Sequence, residues 1–248
     1  MSHHYLQFKN VSYTYPNGTE ALHDINFTIN HGEKVAIVGA NGAGKSTLIL
    51  HTNGLLLPTS GSVNVGNIEI SQRTISITRQ SVGLVFQNSD DQLFMPTVYD
   101  DVAFGAINMN LSPAEVDSRV SKALSMVNSL HLSNRASYSL SGGQKRSVAI
   151  ATVLAMEPNI LVMDEPTSNL DPKARRTLIN LIKSFSHSCI IATHDLELVW
   201  ELCPRTIILH EGTILADGPT NELFYDIPML DKAGLEQPYQ AIYSNHPN

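Results

Sequence analysis

Cysteine is scarce in this chain. Cys189 and Cys203 are the only two among 248 residues, and they match neither a disulfide framework nor a cysteine-ligated metal pattern. Two thiols of this kind suit a reducing compartment. Long apolar runs are missing too: no stretch approaches the ~18–20 residues that cross a bilayer, and no basic-then-apolar leader opens the sequence. The expectation is a soluble, cytoplasmic chain; any work at a membrane then needs another chain to do the spanning. Basic residues are in deficit, 16 Lys and Arg against 23 Asp and Glu, for a net charge of −7. Phosphate backbones attract basic surfaces, so nucleic acid is not expected as a partner. The one local basic cluster, Lys173, Arg175 and Arg176, falls on a predicted helix and reads as its solvated face. The histidines other than His194 show no ligand spacing, the adjacent His3 and His4 included.

What the chain does have is an ordinary globular composition, 42% hydrophobic and 16% charged, with length enough for a real core. Its organising stretch is Gly39-Ala40-Asn41-Gly42-Ala43-Gly44-Lys45-Ser46-Thr47. The spacing fits G-x-x-x-x-G-K-[ST], the phosphate-binding P-loop. Val35-Ala36-Ile37-Val38 before it reads as a buried strand and Leu48-Ile49-Leu50 after it as the start of a helix, the context the motif requires. Glycines let the backbone approach an anion without a Cβ in the way. Loop N–H groups and the helix N-terminus then face phosphate oxygens. Lys45 is expected to reach the β- and γ-phosphates, and the Ser46 hydroxyl to ligate Mg²⁺.

Residues 5–30 alternate as half-buried strands, with Pro16-Asn17-Gly18 as the turn between two runs. Tyr13 and Tyr15 close the first run, and either could stack on an adenine ring. Val63, Val65, Ile68 and Ile70 read as short strands, and Thr74 to Gln80 as a short helix. Val82 to Phe86 is an apolar strand ending on Gln87, and a polar residue at such a strand end points at the ligand crevice. Gln87 is a candidate for Mg²⁺ or water contact. From residue 88 to about 155 strands give way to helices, after a polar loop at Asn88 to Asp91 and an exposed-looking apolar patch at Leu93 to Pro96. Ser112-Pro113-Ala114-Glu115 is a capping box that opens a helix running to about Leu130. Leu140-Ser141-Gly142-Gly143-Gln144 opens another, and bare backbone with a hydroxyl at a helix start is an anion-binding arrangement.

Ile160-Leu161-Val162-Met163-Asp164-Glu165 reads as a fully buried parallel strand ending in two carboxylates. Asp164 lies where a P-loop fold holds its second Mg²⁺ anchor, and Glu165 would orient and deprotonate an attacking water. Asp171 and Pro172 start a further helix. Cys189 to Thr193 is the next buried strand; it ends on His194, a γ-phosphate sensor candidate, and Asp195, which can cap the helix beyond. Thr206 to Leu209 and Thr213 to Ala216 read as a hairpin, and Asn221 to Tyr225 as a short helix. The last 23 residues are loosely patterned.

Together these elements resemble the ATPase subunits of ABC transporters over nearly the whole chain. The P-loop resembles Walker A, residues 160–165 resemble Walker B with its catalytic glutamate, and residues 140–144 are similar to the family signature. Gln87 matches the Q-loop, Ser168-Asn169-Leu170-Asp171 the D-loop (with Asn169 where alanine or glycine is usual), His194 the switch histidine and Tyr15, or else Tyr13, the adenine-stacking aromatic. The resemblance implies an α/β fold: a P-loop, RecA-like core with an antiparallel β subdomain (about 1–87 and 156–220), an inserted helical subdomain (about 88–155) and a tail (about 221–248), all one ABC ATPase domain. It implies ATP and Mg²⁺ as cofactors. It also implies a head-to-tail pairing with a second ATPase subunit, the same chain or a close paralogue. ATP would lie between Tyr15, Asn41, Gly42, Ala43, Gly44, Lys45, Ser46, Thr47, Gln87, Asp164, Glu165 and His194 of one subunit and Ser141, Gly142 and Gly143 of the other. Phe86-Gln87-Asn88-Ser89-Asp90-Asp91-Gln92-Leu93-Phe94 and Asp101-Val102-Ala103-Phe104-Gly105 look like energy-coupling-factor importers. The short tail and His51-Thr52-Asn53-Gly54-Leu55-Leu56 lean toward the cobalt/nickel type rather than the vitamin type. Integral-membrane transport subunits and a peripheral place on the cytoplasmic face of the membrane follow from that resemblance. A soluble ABC ATPase acting on nucleic acid, or a nucleotide-binding regulator without turnover, are the competing readings.

Overall fold

The computed structural model describes residues 5–168 and 170–244; His3, His4 and Asn169 lie outside the described residues. The strands are β1 (Leu6–Thr14), β2 (Glu20–Ile29), β3 (Lys34–Val38), β4 (Ser60–Val65), β5 (Ile68–Glu69), β6 (Val82–Val85), β7 (Ile160–Asp164), β8 (Ser188–Ala192), β9 (Arg205–His210) and β10 (Thr213–Pro219). The helices are α1 (Lys45–His51), α2 (Ile75–Ser81), α3 (Val98–Asn108), α4 (Pro113–Met126), α5 (Gly142–Leu154), α6 (Pro172–Ser184), α7 (Leu196–Leu202), α8 (Thr220–Leu223), α9 (Ile227–Lys232) and α10 (Tyr239–Ser244).

Two sheets organise the chain. One has the order β10-β9-β3-β8-β7-β6, parallel from β9 to β6 with β10 antiparallel at the edge; the other is antiparallel, β2-β1-β4-β5. The strands of the larger sheet alternate between two cores. Ala36, Leu161, Met163, Cys189, Ile191 and Ile208 face a core shared with α3 to α7. Val35, Ile37, Ile160, Val162, Ile190 and Ile207 face a second core shared with α1 and the antiparallel sheet. A sheet covered on both faces needs continuous apolar strands, which is why β3, β7 and β8 carry no polar residue in their middles. It also forces every polar side chain of these strands to their ends. Gln87, Asp164, Glu165 and His194 all sit just at or past the C-terminal ends of parallel strands, on the same edge as the loop after β3.

The local chemistry behaves as read in several places. Ser112 and Glu115 form a capping box, Asp171 caps α6 with Pro172 in its first turn, and Asp195 caps α7. Four details differ. The helix after Ser112 ends at Met126, because Asn128 turns into the left-handed region (φ 56) and a separate turn of 3₁₀ helix follows at Leu130–Leu132. The loop expected at Asn88 to Asp91 holds a short 3₁₀ turn, Ser89–Asp91, which the Asn88 side chain caps. In the patch expected to be exposed, Leu93 is buried while Phe94 projects outward. The loosely patterned terminal segment packs on the body over its described residues, to Ser244. Asp226 caps α9, and Phe224, Leu230, Ala233 and Leu235 enter the helical core. The basic cluster on α6 is mostly tied down: Arg175 pairs with Asp195 and Arg176 with Glu201.

Candidate functional site

The loop between β3 and α1 closes on its own lysine. The Lys45 ammonium donates to the carbonyls of Gly39 at 2.8 Å and Ala40 at 3.1 Å. Gly44 has φ 102, and a Cβ there would stand 2.8 Å from the Ala21 carbonyl oxygen, so the entry to α1 requires glycine. Burial pushes the Lys45 ammonium down, while the charges of Glu165 and Asp164 pull it back up. A buried cation beside two carboxylates, at the start of a helix, is built to meet phosphate oxygens.

The two carboxylates at the end of β7 are held differently. Asp164 accepts a hydrogen bond from the Ser46 hydroxyl, and burial raises its carboxyl above the ordinary range against that bond. Its Oδ1 is buried and has no hydrogen-bond partner among the described residues. An orphaned carboxylate oxygen costs stability unless something electropositive reaches it. Glu165 turns into the left-handed region (φ 45), and its N–H donates to the Ala192 carbonyl at 2.8 Å. That turn sends its carboxylate to the end of β8. Oε2 accepts from the Thr193 hydroxyl at 2.8 Å; Oε1 meets the His194 backbone N–H at 3.1 Å and ring Nδ1 at 2.7 Å. The carboxylate is therefore oriented by three groups from one strand end, with the imidazole largely open to solvent.

A cleft of about 560 Å³ runs through this region, lined among others by Tyr15, Asn41, Gly42, Gly44, Lys45, Ser46, Thr47, Gln87, Asp164 and Glu165. Ala43 is buried beneath it, its N–H donating to Ala40. Tyr15 bonds Thr47 hydroxyl to hydroxyl at 2.9 Å, whereas Tyr13 packs edge-on against His51 and does not line the cleft. His194 reaches the cleft through Glu165. Ser141, Gly142 and Gly143 stand apart from it. Ser141 and Gln144 cap each other at the start of α5, and Ser141 and Gly143 line a separate hollow with Asp171 and Lys173. Gly142 lies open: a Cβ there would meet nothing within 4 Å. Nothing among the described residues demands glycine at that position.

Five contributors escape a motif reading. Thr193 orients Glu165, and Glu20 and His23 of β2 and the turn residue Glu211 rim the cleft. Arg146 has the largest structural role. From the second turn of α5, its buried guanidinium donates to five carbonyls: Phe86, Gln87 (3.1 Å), Asp164 (2.5 Å), Glu165 (2.8 Å) and Pro166 (3.2 Å). Burial brings it down to about 10, leaving it charged at neutral pH. It thus ties the helix that begins at Ser141 to the strand ends that carry Gln87, Asp164 and Glu165. The sequence signal is a charge on an otherwise apolar helical stripe, Arg146, Ile150 and Val153. Replacing Arg146 with Met leaves those carbonyls unpaired. It should cost about 3–5 kcal/mol in urea unfolding; a loss under about 1 kcal/mol would rule out this tie.

Comparison with known proteins places this geometry. The family model of ABC transporters matches residues 22–168. The chain belongs to the ABC transporter ATPase family. It is 56% identical over 238 residues to a putative ABC transporter ATP-binding protein of Geobacter sulfurreducens, covering 96% of each chain. It is 44% identical over 241 residues to the energy-coupling factor transporter ATP-binding protein EcfA of Methanothermobacter thermautotrophicus, covering 95% of this chain and 78% of that one. The solved structure of cbiO1 from Clostridium perfringens, described as part of the ABC transporter complex cbiONQ, superposes with a TM-score of 0.81 at 39% identity, covering 99% and 100% of the two chains. ABC ATPases bind ATP and hydrolyse it to power transport, and this ABC ATPase has the P-loop fold expected of one. No helix among its described residues is long and apolar enough to cross a membrane.

Proposed function

We propose that this ABC ATPase is the motor of an energy-coupling-factor importer for cobalt or nickel ions. It would work as a head-to-tail dimer, with a second copy or a close paralogue, on the cytoplasmic face of the membrane. One observation carries the dimer: the chain holds two complementary half-sites that do not meet. Ser141 and Gly143 line a different hollow from the P-loop cleft, and Gly142 between them lies open. A two-fold pairing that sets each signature over the other's cleft completes both sites at once. The EcfA relative and the cbiO1 neighbour support the importer class. The metal cargo rests on the segment from His51 to Leu56; vitamin uptake is the alternative that an uptake assay in a deletion strain separates.

On this reading Tyr15 stacks on adenine. The loop from Asn41 to Thr47 grips the phosphates, with Lys45 released from the Gly39 and Ala40 carbonyls to pair with the β- and γ-phosphates. The orphaned Oδ1 of Asp164, the Ser46 hydroxyl and Gln87 form a hard-oxygen donor set that fits Mg²⁺. The ion would neutralise charge on the phosphate oxygens. Glu165 takes a proton from the water that attacks the γ-phosphorus as the bond to the bridging oxygen breaks. His194 and Thr193 hold that carboxylate in place, and His194 senses the γ-phosphate. Loss of that phosphate removes the ligand joining the two surfaces, and the dimer opens. Residues 88–155 would carry the motion outward from a core formed by 1–87 and 156–220, with 221–248 as the tail. A largely apolar groove of about 540 Å³, floored by Leu84 and Phe86 and flanked by Phe94 and Phe104, offers a seat for a membrane subunit between the two.

Ser141→Arg tests the pairing. The bulky cation should abolish ATP-driven dimers in sedimentation while ATP binding to the single chain stays within about twofold. Dimers that persist, or ATP affinity that falls with them, would contradict the assignment.

A further inference from the structure

Behind Tyr15 lies a closed circuit of four residues. Tyr15 is joined to Thr47 hydroxyl to hydroxyl at 2.9 Å, and the Thr47 carbonyl meets His51 Nδ1 at 2.8 Å. The His51 ring stands edge-on to Tyr13 with centroids 4.8 Å apart, and the Tyr13 ring stands edge-on to Tyr15 at 4.9 Å. The circuit returns to its start, so Tyr15 is held at its hydroxyl by α1 and along its ring by β1.

The chemistry of His51 gives the circuit a fixed state. A carbonyl can only accept, so Nδ1 carries the proton and Nε2 the lone pair. His51 is fully buried, and its Nε2 has no hydrogen-bond partner among the described residues. Burial pushes the imidazole below its ordinary range, which keeps it neutral. An aliphatic side chain would fill this core without leaving a buried acceptor unpaired. The histidine is thus a poor choice for packing alone. What it supplies, and an aliphatic residue does not, is a planar edge for Tyr13 together with a donor for Thr47.

We propose that His51 and Tyr13 are positioning residues that pre-set the Tyr15 ring for the nucleotide base, acting through Thr47 and through ring contact. The inference rests on Tyr15 being the base-stacking residue and goes beyond it by assigning its support. Neither His51 nor Tyr13 touches the ligand. Their effect falls on recognition of the base and spares the triphosphate, which the loop backbone and Lys45 hold.

The test is steady-state phosphate release against ATP concentration, with inorganic tripolyphosphate, which has no base, as a competitive inhibitor. His51→Leu and Tyr13→Leu should each raise KM for ATP on the order of fivefold to tenfold, with kcat within about twofold and the tripolyphosphate inhibition constant unchanged. Tyr13→Phe keeps the ring and should behave as wild type. His51→Asn puts an N–H donor in the Nδ1 place and should recover part of the KM. If His51→Leu does not fold, the Asn and Tyr13 variants carry the same comparison. In a Tyr15→Ala background His51→Leu should add nothing. An unchanged KM in His51→Leu and Tyr13→Leu, or equal weakening of ATP and tripolyphosphate, overturns the inference and leaves Tyr15 as the stacking residue. If Tyr15→Ala itself leaves KM unchanged, the base-stacking reading fails first and takes this inference with it.

Discussion

Glu165→Gln should slow phosphate release by roughly 10²–10⁴-fold, the usual contribution of a positioned base, while ATP binding is kept and an ATP-bound dimer accumulates. The substitution is nearly isosteric. Its amide oxygen still accepts from Thr193 or from the His194 N–H, the partners that hold the native carboxylate. Placed as Oε1, that oxygen meets both His194 groups and leaves the amide nitrogen facing the Thr193 hydroxyl, which can accept. The left-handed turn at residue 165 and the backbone bond to Ala192 are unaffected. What disappears is the capacity to take a proton from water. Hydrolysis at the wild-type rate would show that the base lies elsewhere. Phosphate release and gel filtration with ATP read both halves of the prediction.

Lys45→Ala should weaken ATP binding by about 3 kcal/mol or more, roughly a hundredfold, in line with removal of one partner from a buried, hydrogen-bonded charge pair. The structure gives a specific reason for so large an effect. Lys45 is the loop's own buried cation facing both Asp164 and Glu165, and without it those carboxylates meet an incoming triphosphate with only Arg146 behind them. Folding stability should change little, since the same substitution relieves the desolvation of the ammonium. Titration calorimetry with ATP measures the binding and thermal unfolding the control; binding within about threefold of wild type would contradict the role.

Much of the phosphate-binding half was legible because it depends on short-range constraints. Gly44 must turn left-handed next to the Ala21 carbonyl, and strands β3, β7 and β8 must be apolar in their middles because both faces of their sheet are covered. Polar residues then collect at strand ends, where Gln87, Asp164 and His194 were read. Other features depend on partners far along the chain. Arg146 sits among polar residues at a helix start, and its acceptors lie 18 to 60 positions away. Alternation along β1 could not separate Tyr13 from Tyr15, which share one side of the run. The distinction comes from His51, which takes up one ring and leaves the other at the cleft. The helix α3 is anchored by its Thr97 cap and by close approach of Met156 to Gly105, so its interior glycine serves packing. The tail helices α9 and α10 are too short to be stable alone and take their order from burial of Leu230, Ala233 and Ala241.

A site divided between two copies of the chain is tested most directly by mixing two inactive variants. Lys45→Ala breaks the P-loop and keeps the signature; Ser141→Arg does the reverse. Each should be silent alone. Mixed in equal amounts with the membrane partner, random pairing makes half the dimers mixed, each with one intact composite site, so phosphate release should return to roughly a quarter of the wild-type rate. A mixture as silent as its components, or a Ser141→Arg chain fully active by itself, would contradict the shared site.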